Sequence, residues 1–430
     1  MSKNNCLKYY LFVLGCQMNV SDAQRIAKVL DNCGFKQTNK ETAADIIIIV
    51  ACSVRQSAID RIYGKNRVWQ QLKKKKKLLL VLTGCLLTVD QNKMSKIFDV
   101  IFDIDDLKNL PKLLHLKTKK SSDNGSYLSV TPKHSNNFQV YVPISTGCNN
   151  FCSYCVVPYT RGREISRPSK DIIKECQNLI DHGFKEITLL GQNVNSYGHD
   201  LKNDLTFPKL LQKINGLAGD FWLKFITSHP KDMSDELIEI VSISKKVCEY
   251  IHLPVQSGDN EILKKMNRGY TKEHYLNLIK KIRKKIPQAA ISTDVIVGFP
   301  GETKKQFEQT VKLIKEVKFA MAYISQYSPR SQTKANLLKD DIPKKEKKKR
   351  KQILNNIINK TSFAYNKKLV NKTIEILVHK RSNKTRYYFG KTKTERHVCF
   401  PSPDDLIGQF VKIKITKAHA FCLEGKLIAK

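Results

Sequence analysis

Residues 145–162 read STGCNNFCSYCVVPYTRG, with Cys148, Cys152 and Cys155 inside eight positions and no fourth cysteine behind them. A closed structural metal site takes four protein ligands, whereas a reactive site keeps one coordination position open. The C-x3-C-x2-C spacing is not the paired C-x2-C of zinc ribbons, and no histidine lies in the loop. Iron–sulfur clusters are held by thiolates, normally four of them, so three imply a cluster with one iron free of protein. Zinc completed by a distant ligand is the other metal reading. Three buried thiols without metal fit a polar loop poorly.

The loop closes the first of six strand candidates: FQVYVPIST (138–146), EITLLGQN (186–193), WLKFITS (222–228), YIHLPVQ (250–256), ISTDVIVGF (291–299) and AMAYISQYS (320–328). Helical patterns separate them, such as SKDIIKECQNLIDHG (169–183) and TKEHYLNLIKKIRKKI (271–286). Residues 138–335 are therefore expected to form a central partial (β/α)6 barrel, with its chemistry at the C-terminal ends of the strands.

Residues 1–120 carry the same rhythm: LKYYLFVLGC, a helix SDAQRIAKVLDNCGF opened by a Ser/Asp cap, ADIIIIVAC and KKLLLVLTGC. The fold class is thus α/β, with an N-terminal open parallel α/β domain. Cys16, Cys52 and Cys85 each end one of its strands, two of them after glycine. Parallel strands deliver their carboxyl ends to one side of a sheet, so these three are expected to converge on a second open cluster. Cys6, Cys33, Cys176, Cys248, Cys399 and Cys422 lack that setting and read as structural thiols. Residues 116–137 are polar and Gly/Pro-punctuated, a linker. A lysine-rich helix in 340–372 reads as a solvated face. Residues 365–430 alternate in short strands and read as a small C-terminal β-barrel of the nucleic-acid-binding, OB-like kind.

The formal charge of +37 favours a polyanionic partner. Lysine outnumbers arginine 62 to 14, however, so genome bias contributes to that charge. No apolar run reaches the roughly 20 residues of a membrane helix, and the N-terminus has no signal-peptide plan. A cytoplasmic protein with reduced thiols and no membrane contact is expected.

The C-x3-C-x2-C loop with Tyr154 before its last cysteine resembles the radical S-adenosylmethionine enzymes. GCQMNVSDAQ (15–24), ACSVRQSA (51–58), GCNNFCSYCVVPYTRGREISRP (147–168), LLGQNVNSYG (189–198), TSHP (227–230), HLPVQSGDNEILKKMNRGY (252–270) and DVIVGFPGET (294–303) extend the likeness to the methylthiotransferases across most of the chain. The tail resembles their RNA-gripping TRAM domain.

The resemblance implies two [4Fe-4S] clusters, on Cys16/Cys52/Cys85 and Cys148/Cys152/Cys155. S-adenosyl-L-methionine would complete the open iron of the second set through its amino and carboxylate groups and yield a 5′-deoxyadenosyl radical. At the barrel's working end, Gly191, Gln192, Asn193, Ser228, His229, Gln256, Ser257 and Asp294 become its candidate contacts. GFPGET shapes a turn near the cofactor, with Glu302 opening the next helix.

LLGQNVNSYG and VVPYTRGREISRP look most like the branch that converts C2–H of N6-isopentenyladenosine, next to the tRNA anticodon, into C2–S–CH3. The implied partners are a tRNA anticodon stem-loop, a sulfur source and an electron donor such as flavodoxin or ferredoxin, for a monomeric enzyme. Branches acting on threonylcarbamoyl-adenosine or a ribosomal-protein aspartate are alternatives within the family. A two-cluster electron carrier and an RNA-binding protein are alternatives outside it. Arg161, Arg163 and Arg167 are open to three roles: RNA phosphate, cofactor or salt bridge. The chain departs from family habit at Gln332, where relatives usually carry glycine, and at Ala51, before Cys52.

Overall fold

The run IIIIVAC has no polar side to turn to water, so it is satisfied only as an interior strand covered on both faces. The computed structural model, which describes residues 6–54, 56–116, 126–383 and 385–429, buries all seven of its residues. It is β3 (Ile46–Cys52) of an all-parallel sheet with β1 (Lys8–Val13), β2 (Lys36–Gln37), β4 (Leu79–Cys85) and β5 (Val100–Ile101), in the order β2-β1-β3-β4-β5. Ile48 and Val50 pack with the helix Gln17–Asn32, and Ile47 and Ile49 pack with Trp69 of the helix Gln56–Lys75.

The first helix starts at Gln17, with Cys16 at its N-cap, ahead of the expected Ser21/Asp22 start. Those two residues are buried instead, because each has a tertiary partner. Ser21 Oγ accepts from Arg25 at 2.6 Å, and Asp22 accepts from Arg161 at 2.6 Å. Residues 117–125 of the expected linker lie outside the described residues. Its later part is no spacer, since Tyr127 and Leu128 are buried in the N-terminal core.

The central unit adds β6 (Gln139–Pro143), β7 (Ser145–Thr146), β8 (Ile165–Ser166), β9 (Glu186–Leu190), β10 (Trp222–Ile226), β11 (Tyr250–His252), β12 (Ala290–Val297) and β13 (Met321–Gln326). Parallel sheets β10-β9-β6 and β11-β12-β13 meet through a bridge between Leu223 and Val247. The result is six parallel strands in chain order, curved into an open partial barrel over one large apolar core. The expected strand 138–146 breaks after Pro143, because β7 turns away to pair antiparallel with β8. Glu302 does not open a helix. The helix Lys304–Val317 is capped by Thr303 and Gln306, while buried Glu302 accepts from Gly298 N and pairs with Arg350, both at 2.7 Å. The basic helix Lys344–Lys367 is accordingly more than a solvated face. Its Lys347 and Arg350 are buried, and Lys347 reaches Asp340 at 2.5 Å.

Strands β14 (Thr373–Arg381), β15 (Tyr387–Lys391), β16 (His397–Pro401), β17 (Phe410–Ala418) and β18 (Cys422–Ala429) close into a small barrel, β14-β15-β16-β18-β17. It docks on the N-terminal ends of the central strands. Trp222, which opens β10, packs on Phe410 with ring centroids 4.9 Å apart and the rings tilted by 45°. Beside it Lys224 Nζ pairs with Glu186 at 2.5 Å and with Glu395 of the small barrel. Burial would raise Glu186, but the Lys224 ammonium outweighs it and holds this carboxyl at about 2, below its ordinary 4.5.

A carboxyl held down in the folded state stabilises the fold above its unfolded pKa and loses that contribution as pH falls. The contribution of Glu186 is therefore full above about pH 4.5 and fades toward pH 2. Lys224→Met should cost about 3–5 kcal/mol, because it removes the ammonium that offsets the buried Glu186 carboxylate, and should flatten the acid dependence across this window. Denaturant titrations at stepped pH, followed by tryptophan fluorescence, measure both effects.

Candidate active site

Between β7 and β8 the chain must carry three cysteines and return. Gly147 makes this possible with φ +78°, where any side chain would collide with the Arg163 carbonyl. Cys148 N donates to Gly162 O at 3.2 Å, closing the loop. The loop is also clamped from outside. Ser153 Oγ donates to Lys265 O at 2.8 Å, and Asn267 Nδ2 donates to the carbonyls of Asn150 and Phe151 at 3.2 and 3.0 Å.

Cys148 and Cys152 are buried. Burial pushes the Cys155 thiol up to about 12 and raises Cys148 too, so binding a metal here releases protons. Arg268, buried among Tyr154, Tyr270 and the Pro254 carbonyl, donates from Nη1 to Cys152 Sγ at 3.2 Å.

The other triad sits at three neighbouring strand ends. Cys52 and Cys85 are register partners on β3 and β4, and Cys16 follows β1. Gly84 lets the chains close up there, with φ +111° and an added Cβ only 2.5 Å from Ala51 O. Ala51 contributes its carbonyl, which accepts from Asn19 Nδ2 at 2.8 Å. Among the described residues no three His, Cys, Asp or Glu side chains converge on a single metal ion.

The two triads are physically linked. Arg161, at the exit of the cysteine loop, donates from Nε to Cys85 Sγ at 2.7 Å and from Nη2 to Asp22 at 2.6 Å. With its side chain 1% exposed it cannot touch RNA, which removes that reading of it. Arg167 is also a salt-bridge residue, 2.7 Å from Glu175, while Arg163 stacks over Phe151 at 4.4 Å. Sequence reasoning missed Arg268, Asn19 and Tyr127, and for Arg268 and Tyr127 no local pattern pointed to a role. Asn19 lies one helical turn after Cys16, which is the signal that could have marked it.

Beyond the cysteine loop, the C-terminal strand ends gather polar groups. Among the described residues Ser145 Oγ, Gln192 Oε1, Asn193 Oδ1, Ser228 Oγ, His229 Nε2 and Gln256 Oε1 are buried here without a hydrogen-bond partner. A native interior leaves few such atoms unmatched, so a cluster of them fits a ligand with several polar groups. Gly191 leaves room beside them, since a Cβ there would lie 2.8 Å from Ser145 Oγ. Burial, with Arg268 and Lys231 nearby, pushes His229 down to about 2. The ring is neutral, and its Nδ1 accepts from Lys231 N at 3.3 Å, so Nε2 carries the spare N–H. Asp294 lies lower on β12, half-exposed and 3.4 Å from His252 Nε2. Ser257 is occupied differently, 3.4 Å from Thr310 Oγ1. Gln332 adopts φ +67°, the left-handed region that favours glycine, so this chain holds a strained residue there.

Gly147→Ala should abolish iron retention by this loop while leaving helix content by circular dichroism near wild type. Gln332→Gly should stabilise the chain by up to about 1 kcal/mol through relief of the left-handed strain. A shift in denaturant midpoint would measure it.

Residues 142–314 match the Radical SAM superfamily, residues 8–103 the Uncharacterized protein family UPF0004, and residues 367–428 the TRAM domain. The tRNA-2-methylthio-N(6)-dimethylallyladenosine synthase of Carboxydothermus hydrogenoformans is 42% identical over 98% of this chain and 99% of its own length. The protein of that name from Clostridium botulinum (strain Langeland) is 42% identical over 99% and 98%. A radical S-adenosylmethionine methyltransferase from Kitasatospora setae, solved with cobalamin and a [4Fe-4S] cluster bound, shares the fold. Its TM-score is 0.57 at 12% identity, with 77% of each chain covered.

Proposed function

Because the chain belongs to the tRNA-2-methylthio-N(6)-dimethylallyladenosine synthase family, we propose that it replaces C2–H of N6-isopentenyladenosine, beside the tRNA anticodon, with C2–S–CH3. One arrangement carries this reading: the three-cysteine loop stands at the same strand ends as six buried, unpartnered polar atoms.

Cys148, Cys152 and Cys155 would hold a [4Fe-4S] cluster beside which S-adenosyl-L-methionine would bind. Once bound, that pair supplies one-electron cleavage of the sulfonium and a carbon radical able to take hydrogen from an unactivated C–H bond. The chain's own work is to bind and shield. Gln192, Asn193, Ser228 and Gln256, with Ser145 and His229, offer the cofactor hydrogen bonds that are otherwise unmade. Gly191 keeps the approach open, and Asp294 can accept from ribose hydroxyls. Arg268 holds Cys152 and fixes the loop wall.

Cys16, Cys52 and Cys85 would hold a second [4Fe-4S] cluster, which would hold or donate the sulfur. The substrate is the tRNA anticodon stem-loop, met by a chain of formal charge +37. One S-adenosyl-L-methionine would supply the methyl group and a second the radical, while a sulfur source and an electron donor such as flavodoxin or ferredoxin complete the cycle, with the enzyme a cytoplasmic monomer.

Anaerobic protein, reconstituted with iron and sulfide, is incubated with reductant, S-adenosylmethionine and isopentenyladenosine tRNA, and the nucleosides are read by mass spectrometry. A methylthio mass gain on that nucleoside, lost in both Cys148→Ala and Cys16→Ala, is expected. Cofactor cleavage with no change to the nucleoside would overturn the substrate assignment.

A further inference from the structure

Arg161 leaves the cysteine loop of the central barrel, yet its guanidinium lies wholly inside the N-terminal domain, among Asn19, Asp22, Cys85 and Tyr127. Asp22 alone would account for a buried ion pair. What remains unexplained is Nε, which a structural pair would spend on a carbonyl or hydroxyl but which points at Cys85 Sγ at 2.7 Å. A neutral thiol is a weak acceptor, whereas thiolate sulfur bound to a metal keeps negative charge and is tuned by such donors. Asn19 cannot supply this donor. Its amide nitrogen is committed to the carbonyls of Leu14 and Ala51 at 2.6 and 2.8 Å, and only its oxygen turns toward Arg161, 3.1 Å from Nη2.

We propose that Arg161 is a positioning residue for the N-terminal cluster: it orients the Cys85 thiolate, and its fixed charge makes that cluster easier to reduce. The inference rests on reading Cys16, Cys52 and Cys85 as cluster ligands. Reduction adds one electron from an external low-potential reductant, and therefore one negative charge, to the cluster. A desolvated cation against one ligand favours the more negative state, and Asp22 offsets part of that effect. The loop that carries one triad thus sets the electronic state of the other.

Full-length protein with Cys148, Cys152 and Cys155 all changed to alanine isolates the N-terminal site. In that background, iron content after anaerobic reconstitution and the midpoint potential from an EPR-monitored dithionite titration are measured. R161Q should shift the reduction equilibrium at least tenfold toward the oxidised state, a fall of about 59 mV for a one-electron couple. R161K, which keeps the charge, should recover most of the shift. D22N, which unmasks the cation, should move the potential the other way, an opposition that a merely structural role would not produce. R161Q leaves Asp22 buried and alone, so the double variant R161Q/D22N carries the measurement if the single one precipitates. It should show a smaller fall of the same sign.

A cluster retained at unchanged potential in R161Q or the double variant overturns the inference and leaves the two-cluster reading standing. Iron loss from R161K and D22N alike, in a chain that still folds, makes Arg161 architectural and also overturns it. No iron in the parent triple variant overturns the two-cluster reading, and the inference with it.

Discussion

Parallel strands hand every following loop to the same side of a sheet, and both the N-terminal cysteines and the polar groups at the central strand ends depend on that geometry. In the N-terminal sheet it sets Cys16, Cys52 and Cys85 at the ends of three neighbouring strands separated in sequence by whole helices. Neighbouring strands stand roughly 4.8 Å apart, and the register pairing of Cys52 with Cys85 uses that spacing directly. In the central unit the same rule gathers the unpartnered groups from Ser145 to Gln256 around the cysteine loop. Each sheet thus presents its strand ends along one edge, and Arg161 fastens the two edges together through its pair with Asp22.

The strand ends were legible because they rest on local pattern: an apolar run, a glycine, a cysteine. The six barrel strands and the closed C-terminal barrel were legible for the same reason. What sequence could not yield was tertiary partnership. Ser21 and Asp22 have the chemistry of helix caps, and only the arrival of Arg25 and Arg161 gives them other work. Glu302 has the local setting of a first-turn carboxylate, and only Arg350, many residues on, accounts for its burial. The unpartnered side chains at the barrel mouth were named by position alone. Their unmet hydrogen bonds, and the involvement of Ser145, are properties of three-dimensional packing.

The composition divides labour between the two basic residues. Lysine is abundant and for the most part covers the surface. Arginine is scarce, 14 against 62, yet Arg25, Arg161, Arg268, Arg350 and Arg396 are buried. A planar guanidinium can spread several directed bonds over carboxylate, carbonyl and sulfur at once, which an ammonium cannot match. In this lysine-biased chain several arginines mark places where a fork is needed. Lys224 is an exception, a buried ammonium between Glu186 and Glu395 that meets two separate carboxylates rather than one plane.

The small C-terminal barrel docks at the N-terminal ends of the central strands, opposite the edge where the cysteine loop stands. Strands of five to eight residues, such as β10 and β12, separate the two ends. At about 3.3 Å per residue this is some 17–26 Å. A polyanion that touches both must run the height of the barrel, so the molecule behaves as a caliper. A ligand shorter than that span reaches one end or the other, but not both.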